Sequence, residues 1–330
     1  MTILITGAGG FLGGAIAKLL RERGCVVRGY SRGEHPQLQR LGVEHHRGDL
    51  ADAQALKMAA ADCDAVIHTA AKAGVWGPYE DYHKANVLGT RNVIDACQAL
   101  GIGRLVFTSS PSVTFDGTDQ DGVNEAVPYP ARFLAYYPAT KAEAERLVLA
   151  ANSPKLATVA LRPHLIWGPG DTQLVPRILE RARAGKLRLV DAGNKKVDSV
   201  YIDNAAAAHV LALDKLASGA PCAGKAYFIT NGEPQPMSDL INGILGAAGL
   251  PPVTKKISPA LAYAVGGAME LFWKVTRRSG EPPLTRFVAR QLATVHWFDI
   301  SAARRDLGYD SKIKIAEGLK RLAESLRTRK

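Results

Sequence analysis

The chain has 330 residues, 47% of them hydrophobic and 22% charged, with a formal net charge of +11. That composition is ordinary for a soluble globular enzyme with an ample core, in one large domain or two unequal ones, and it excludes a disordered or fibrous chain. Cys25, Cys63, Cys97 and Cys222 are too scattered for a zinc set or a disulfide framework, and the opening strand "TILIT" leaves no room for a secretory leader, so a cytoplasmic protein with free thiols is expected.

Over the first 165 residues, short apolar runs ("TILIT", "CVVRGY", "DAVIHTA", "RLVFTSS", "LATVALR") alternate with helical runs such as "GFLGGAIAKLLRERG" and "YHKANVLGTRNVIDACQALG". That order predicts an α/β fold, a doubly wound parallel sheet with helices on both faces, the Rossmann arrangement. The first strand runs through "LITGAGGFLGG" into the first helix, with Gly7, Gly10 and Gly13 spaced three apart. Glycines there let the backbone turn and approach a pyrophosphate seated on the helix N-terminus, so a dinucleotide is expected. The second strand ends in Tyr30, Ser31 and Arg32, with no acid. A carboxylate would repel a 2′-phosphate and a guanidinium would hold it, which predicts NADP(H). "RGDL" puts Asp49 at the end of the third strand, near the adenine; "HTAAKAG" puts the small Ala70 and Ala71 at the end of the fourth, where they admit the cofactor.

The fifth strand, "RLVFTSSPSV", ends in hydroxyls at the edge that faces the ligand crevice of such a sheet. The next helix opens with "AYYPATK". Tyr137 and Lys141, four apart, share a helix face; Tyr136 does not, and Pro138 suits the first turn. A hydroxyl, a phenol and an ammonium can thus converge, with the ammonium lowering the phenol from about 10 for proton transfer and the hydroxyl orienting the substrate oxygen.

After "WGPGD" the pattern loosens. "VDSVYIDNAAAAHVLALDKL" reads as one more strand and helix of the first domain. The expected division is a dinucleotide-binding domain over 1–217, with 166–197 contributing to the substrate site, and a smaller C-terminal substrate-binding cap over 218–330. The apolar run Pro259 to Trp273 is too short to span a bilayer and is broken by Glu270. Leu261, Val265, Met269 and Phe272 form a helical stripe, expected to act as a lid or to pack in the core, with interfacial membrane contact the alternative because Lys274, Arg277 and Arg278 follow. From Pro251 onward there are 16 Lys/Arg and 7 Asp/Glu, so this tail carries +9 of the net charge. No basic helix with groove-reading spacing supports nucleic acid as the partner, which leaves an anionic substrate, an anionic membrane, an acidic partner or a solvated surface. His45 and His46 adjoin without a carboxylate–histidine ligand pattern, so no metal is expected, and His68 and His209 read as structural.

On "TGAGGFLG", "GDL", "HTAA", "NVLGT", "TSS", "YPATK", "LRPHLIWGPGD", "YIDNAAAAH" and "SAARRDLGY", the chain resembles the extended short-chain dehydrogenase/reductase family over nearly its whole length. The resemblance implies Tyr137 as general acid/base, Lys141 on the nicotinamide ribose, and Ser110 as the family hydroxyl, with Ser112 a further candidate. It implies cofactor contacts from Phe11 and Leu12 in the glycine loop, Leu50 after Asp49, Asn86, and Pro163 and Ile166 after the arginine of "LRP". Within the 3β-hydroxysteroid dehydrogenase-like branch, "AAKAGVWGPYEDYHKANVLGT", "GKAYFITNGEPQPM" and "EPPLTRF" are similar to NADP-dependent reductases of 2-alkyl-3-oxoalkanoic acids in bacterial long-chain olefin biosynthesis. That implies a lipid-like keto acid substrate, with Lys72, His164, Arg286 and Arg290 all open as carboxylate partners, and a homodimer or pathway-enzyme assembly as further expectations. A steroid dehydrogenase and a nucleotide-sugar epimerase or dehydratase share the fold and triad. A non-catalytic NADP-binding regulator shares the fold, but such proteins commonly lose the tyrosine–lysine pair.

Overall fold

The computed structural model describes residues 1–328. Seven strands, Thr2–Thr6 (β1), Val26–Ser31 (β2), Glu44–Arg47 (β3), Ala65–His68 (β4), Arg104–Thr108 (β5), Ala157–Pro163 (β6) and Lys225–Ile229 (β7), form one parallel sheet in the order β7-β6-β5-β4-β1-β2-β3. Its middle strands are apolar at successive positions, as Ile3, Leu4, Ile5 and Leu105, Val106, Phe107 show, because both faces are covered by helices. The strand order reverses between β1 and β4, and in such sheets the crevice outside the carboxyl ends at the reversal receives the ligand.

The helices include Phe11–Glu22 (α1), Gly89–Leu100 (α2), Tyr136–Ala150 (α3), Ile202–Lys215 (α4), Pro259–Thr276 (α5) and Arg286–Leu292 (α6). A π-helical segment, His83–Leu88, leads into α2. A smaller four-stranded sheet gathers distant segments in the order Gln235–Pro236, Lys196–Val197, His296–Phe298 and Gln120–Val123.

Two expectations change. The division at 217/218 does not coincide with the edge of the main sheet, because β7 lies beyond it and pairs with β6 from Lys225↔Val159 to Ile229↔Pro163. The stripe on α5 is only partly covered, with Val265 and Met269 half-buried. Leu261 is 54% exposed and Phe272 50%, while the helix buries Ala262 and Gly266. The small residues decide which face is buried: a Cβ at Gly266 would lie 2.8 Å from the Thr285 carbonyl carbon, so α5 packs closely on the chain entering α6. Leu271 and Val275 join the exposed face at 63% and 73%. Among the described residues, no helix is long and apolar enough to cross a membrane.

A buried ion pair fixes α3 on the sheet. Arg162 of β6 donates from Nη2 to Glu145 Oε1 (2.6 Å) and from Nε to Oε2 (3.0 Å), and the Tyr129 hydroxyl donates to Oε1 (2.6 Å). Burial alone would raise the Glu145 carboxyl, but the Arg162 guanidinium outweighs it and holds it below the ordinary value. Glu145→Ala, which leaves the guanidinium buried and uncompensated, should lower unfolding free energy by about 3–5 kcal/mol in denaturant titrations, whereas Glu145→Leu with Arg162→Met should cost far less.

Candidate active site

The cradle at the carboxyl ends of β1 and β4 is built by the absence of side chains. Gly7 adopts φ +73°, and a Cβ there would come within 2.8 Å of the Ala70 backbone nitrogen. A Cβ at Gly13 would overlap the Gly7 carbonyl, so α1 sits directly on the turn. Gly10 caps α1 in an extended conformation with no side-chain cap bond, which leaves the first-turn amides, including those of Phe11 and Leu12, directed at an anion site. These features fit a dinucleotide pyrophosphate.

The other expected cofactor residues lie on the same edge. Ser31 ends β2 with its hydroxyl 2.8 Å from His45 Nε2; Arg32 follows, exposed. The buried Tyr30 hydroxyl donates to the Asp49 carbonyl (2.9 Å), tying the turn after β3 to β2, and Leu50 packs beneath Gly89. Ala70 and Ala71 follow β4, the first partly buried and the second exposed. Pro163 closes β6, and Leu165, at φ +43°, turns the chain sharply so that Ile166–Trp167 pairs with Val200–Tyr201. Asn86 lies in the π-helical segment before α2. It is 1% exposed and its amide is engaged by the protein itself: Oδ1 accepts from Lys72 N (2.7 Å), and Nδ2 donates to Lys72 O (3.2 Å) and Thr140 Oγ1 (3.0 Å). It clamps the loop after β4 to the helix that carries Tyr137.

Tyr137 and Lys141 stand on the first turns of α3, beside Ser110 at the end of β5. Tyr136 points away and is 52% exposed. Burial raises the Tyr137 phenol above its ordinary value, opposed by a hydrogen bond with the Ser110 hydroxyl. Burial depresses the Lys141 ammonium to about 7, against the pull of Glu145 one turn on. Lys141 Nζ donates to the Thr108 carbonyl (2.6 Å) and lies 4.1 Å from the Phe107 ring centroid. The expected lowering of the phenol by the ammonium is therefore not what this arrangement gives, because burial disfavours both charges. Ser110 Oγ lies 2.9 Å from Ser112 Oγ, so the two serines form one hydroxyl chain.

Ser112 borders a narrow crevice of about 10 Å³, room for no more than a water, whose walls include Phe115, Gln120, His164, Gln291, His296 and Phe298. Of the four expected carboxylate partners, only His164 faces it. Its Nδ1 is 2.6 Å from the Asp198 carbonyl, and its ring stands edge-on to His296, centroids 4.9 Å apart. Burial and then the His296 neighbour keep His164 well below its ordinary value. Arg286 is instead held by Glu270 (2.7 Å), Arg290 lies over the exposed Tyr263 ring (5.1 Å), and Lys72 pairs with Asp81 (3.1 Å). On α6 the inward residues are Phe287 and Gln291, one position on from each arginine; Phe287 packs edge-on to Phe115. His68 and His209 are internal. The first bonds Thr6 (2.6 Å) and Thr90 (3.0 Å), the second Thr108 (2.8 Å), and burial takes them to about 3 and about 4.

Sequence reading did not single out Glu145, Arg162, Gln291 and His296. Glu145 had a local signal, one helical turn beyond Lys141; the others meet the site only through tertiary structure.

Residues 4–257 match the 3-beta hydroxysteroid dehydrogenase/isomerase family. The chain is 58% identical over 327 residues to a 2-alkyl-3-oxoalkanoate reductase of Stenotrophomonas maltophilia, covering 98% of this chain and 99% of that one. It is 52% identical over 330 residues to the 2-alkyl-3-oxoalkanoate reductase of Shewanella oneidensis, covering 98% and 85%. Among solved structures, MoeE5 in complex with UDP-glucose and NAD superposes with a TM-score of 0.76 at 25% identity, over 100% of this chain and 99% of that one. The glycine cradle, the tyrosine–lysine helix and the family match over most of the length lead to one assignment: the chain belongs to the 3-beta hydroxysteroid dehydrogenase/isomerase family, within the extended short-chain dehydrogenases/reductases.

Proposed function

We propose that the protein is an NADP(H)-dependent oxidoreductase that reduces 2-alkyl-3-oxoalkanoic acids to 2-alkyl-3-hydroxyalkanoic acids for the synthesis of long-chain olefins. The observation that carries this reading is the hydrogen bond of Ser110 with Tyr137 on the helix that also carries Lys141, in a chain so similar end to end to reductases of that name. Bound in the cradle, a nicotinamide dinucleotide supplies the hydride for the keto carbon. Ser110 donates a hydrogen bond to the keto oxygen and orients it. Tyr137 gives that oxygen its proton as negative charge develops there. Lys141, on the same helix face, holds the nicotinamide ribose. The raised phenol keeps Tyr137 protonated through neutral pH and so favours reduction; oxidation of the hydroxy acid needs the phenolate. His164 receives the substrate carboxylate where the crevice opens, as an imidazolium: the Asp198 carbonyl holds its Nδ1–H, so Nε2 takes up a proton together with the acid.

The exposed face of α5 supports a further part of the reading. Leu261, Leu271, Phe272 and Val275 stand out beside Lys274, Arg277 and Arg278, all exposed. An apolar helix face with cations at one end suits an anionic lipid surface, where a long-chain keto acid also partitions.

Tyr137→Phe should lower kcat by about 10²–10⁴-fold with cofactor affinity nearly intact, and Tyr136→Phe should change little; retention of more than a tenth of kcat removes Tyr137 from its role. In wild type, reductive kcat/KM should fall as pH rises through about 7, where Lys141 gives up its proton, with the raised Tyr137 phenol titrating only at higher pH. Across a series of 2-alkyl-3-keto acids, kcat/KM should rise with chain length, since each buried methylene contributes about 0.8 kcal/mol. His164→Gln should raise KM for the acids and not for a methyl ketone of equal length; better turnover of a 3-ketosteroid or a UDP-sugar would reassign the substrate. In vesicle flotation, the protein should rise with anionic vesicles and not with neutral ones, and Leu271→Asp with Phe272→Asp should abolish this.

A further inference from the structure

A cluster of basic side chains collects where β2 ends against β3, beside the glycine loop. The strands pair Gly29↔His45 and Ser31↔Arg47, so His45 and Arg47 share one face of β3 while Glu44 and His46 take the other, bonded to each other (2.8 Å). On the first face, His45 Nε2 lies 2.8 Å from Ser31 Oγ, and the His35 ring stands edge-on to His45 with centroids 5.5 Å apart. His35 also reaches the cradle: a Cβ at Gly9 would overlap its ring, and one at Gly33 would lie 3.3 Å from its Nε2. Arg32 projects from the same turn, exposed and without an ion pair among the described residues. The Glu34 carboxylate is held by Arg47 at 2.7 Å.

We propose that His35 and His45, together with Ser31 and Arg32, grip a phosphate monoester on the adenosine ribose of the dinucleotide, and that closing this grip takes up a proton. The proposal rests on the NADP(H) reading and adds to it two residues and a dependence on pH. Two guanidinium groups and two imidazoles gather here, and the Glu34 carboxylate is already held by Arg47, an arrangement that repels added protons. Burial, then repulsion by His35, His46 and Arg47, keeps His45 below its ordinary value. A dianionic phosphate placed among these groups reverses that repulsion and makes the imidazolium the favoured form. Because the bound state raises the imidazole above its free value, the preference for the phosphorylated ribose is full at low pH. It is lost as pH rises through the bound value. Below about pH 6 the phosphate itself gains a proton and the gain levels off.

The test is calorimetric titration of the full chain with 2′,5′-ADP and with 5′-AMP, in buffers of different ionisation enthalpy, between about pH 6.5 and 8.5. Proton uptake is expected with 2′,5′-ADP and not with 5′-AMP. The affinity ratio between the two should fall by roughly three- to tenfold across that range, within the tenfold per pH unit that one linked proton allows. His35→Asn and His45→Asn should shrink the ratio and the proton uptake while leaving the 5′-AMP Kd near wild type. A wild type that prefers 2′,5′-ADP with no buffer dependence would overturn the histidine grip and leave Arg32 as the determinant. A wild type with no preference at all would overturn the NADP(H) reading and this inference with it.

Discussion

The Glu145–Arg162 pair joins the two elements on which the site is hung. Arg162 lies in β6, one residue before Pro163 and two before His164; Glu145 lies in α3, one turn after Lys141 and two after Tyr137. The bidentate contact therefore sets the distance between the helix that carries Tyr137 and Lys141 and the strand end that borders the crevice. Such a pair is poor as a source of net stability, because desolvating two charges offsets their attraction. Its geometry is another matter: two parallel hydrogen bonds and a third from Tyr129 allow only one placement of α3 along β6.

Burial moves Tyr137 and Lys141 in opposite directions. It keeps the phenol protonated and takes the ammonium toward neutrality. What opposes it also differs: a hydroxyl for Tyr137 and the distant carboxylate of the ion pair for Lys141. The acid–base couple is thus tuned by the depth of α3 in the protein as much as by the spacing of its two residues. Asn86 and Thr140 contribute to the same fixation from the other side, by tying the loop after β4 to the first turn of α3.

Much of this is legible in the sequence because it is local. The glycine spacing, the strand runs and the four-residue step from Tyr137 to Lys141 each depend on backbone geometry within a few residues, and each appears where the pattern puts it. The crevice is not legible there. Its walls come from the turns after β5 and β6, from α6 and from two strands of the small sheet, and no local pattern announces that these meet. The arginines of α6 depart from expectation for a related reason. Charge spacing marks a helix face, but only packing says which face is inward, and here Phe287 and Gln291 take it. The stripe on α5 departs similarly: large apolar side chains give the periodicity, whereas Ala262 and Gly266 make the contact.

The late position of β7 has a consequence for how the protein is made. The strand beside it, β6, ends at Pro163, but its outer edge stays unpaired until Lys225–Ile229 has left the ribosome. At roughly 5–20 residues per second, the intervening stretch keeps an apolar strand edge open for seconds on every nascent chain. Ala157 to Leu161 are buried in the finished molecule, so that edge is a ready template for pairing between neighbouring chains while synthesis continues. Until Lys225–Ile229 closes the main sheet, only the chain's own emerging helices can shield that edge.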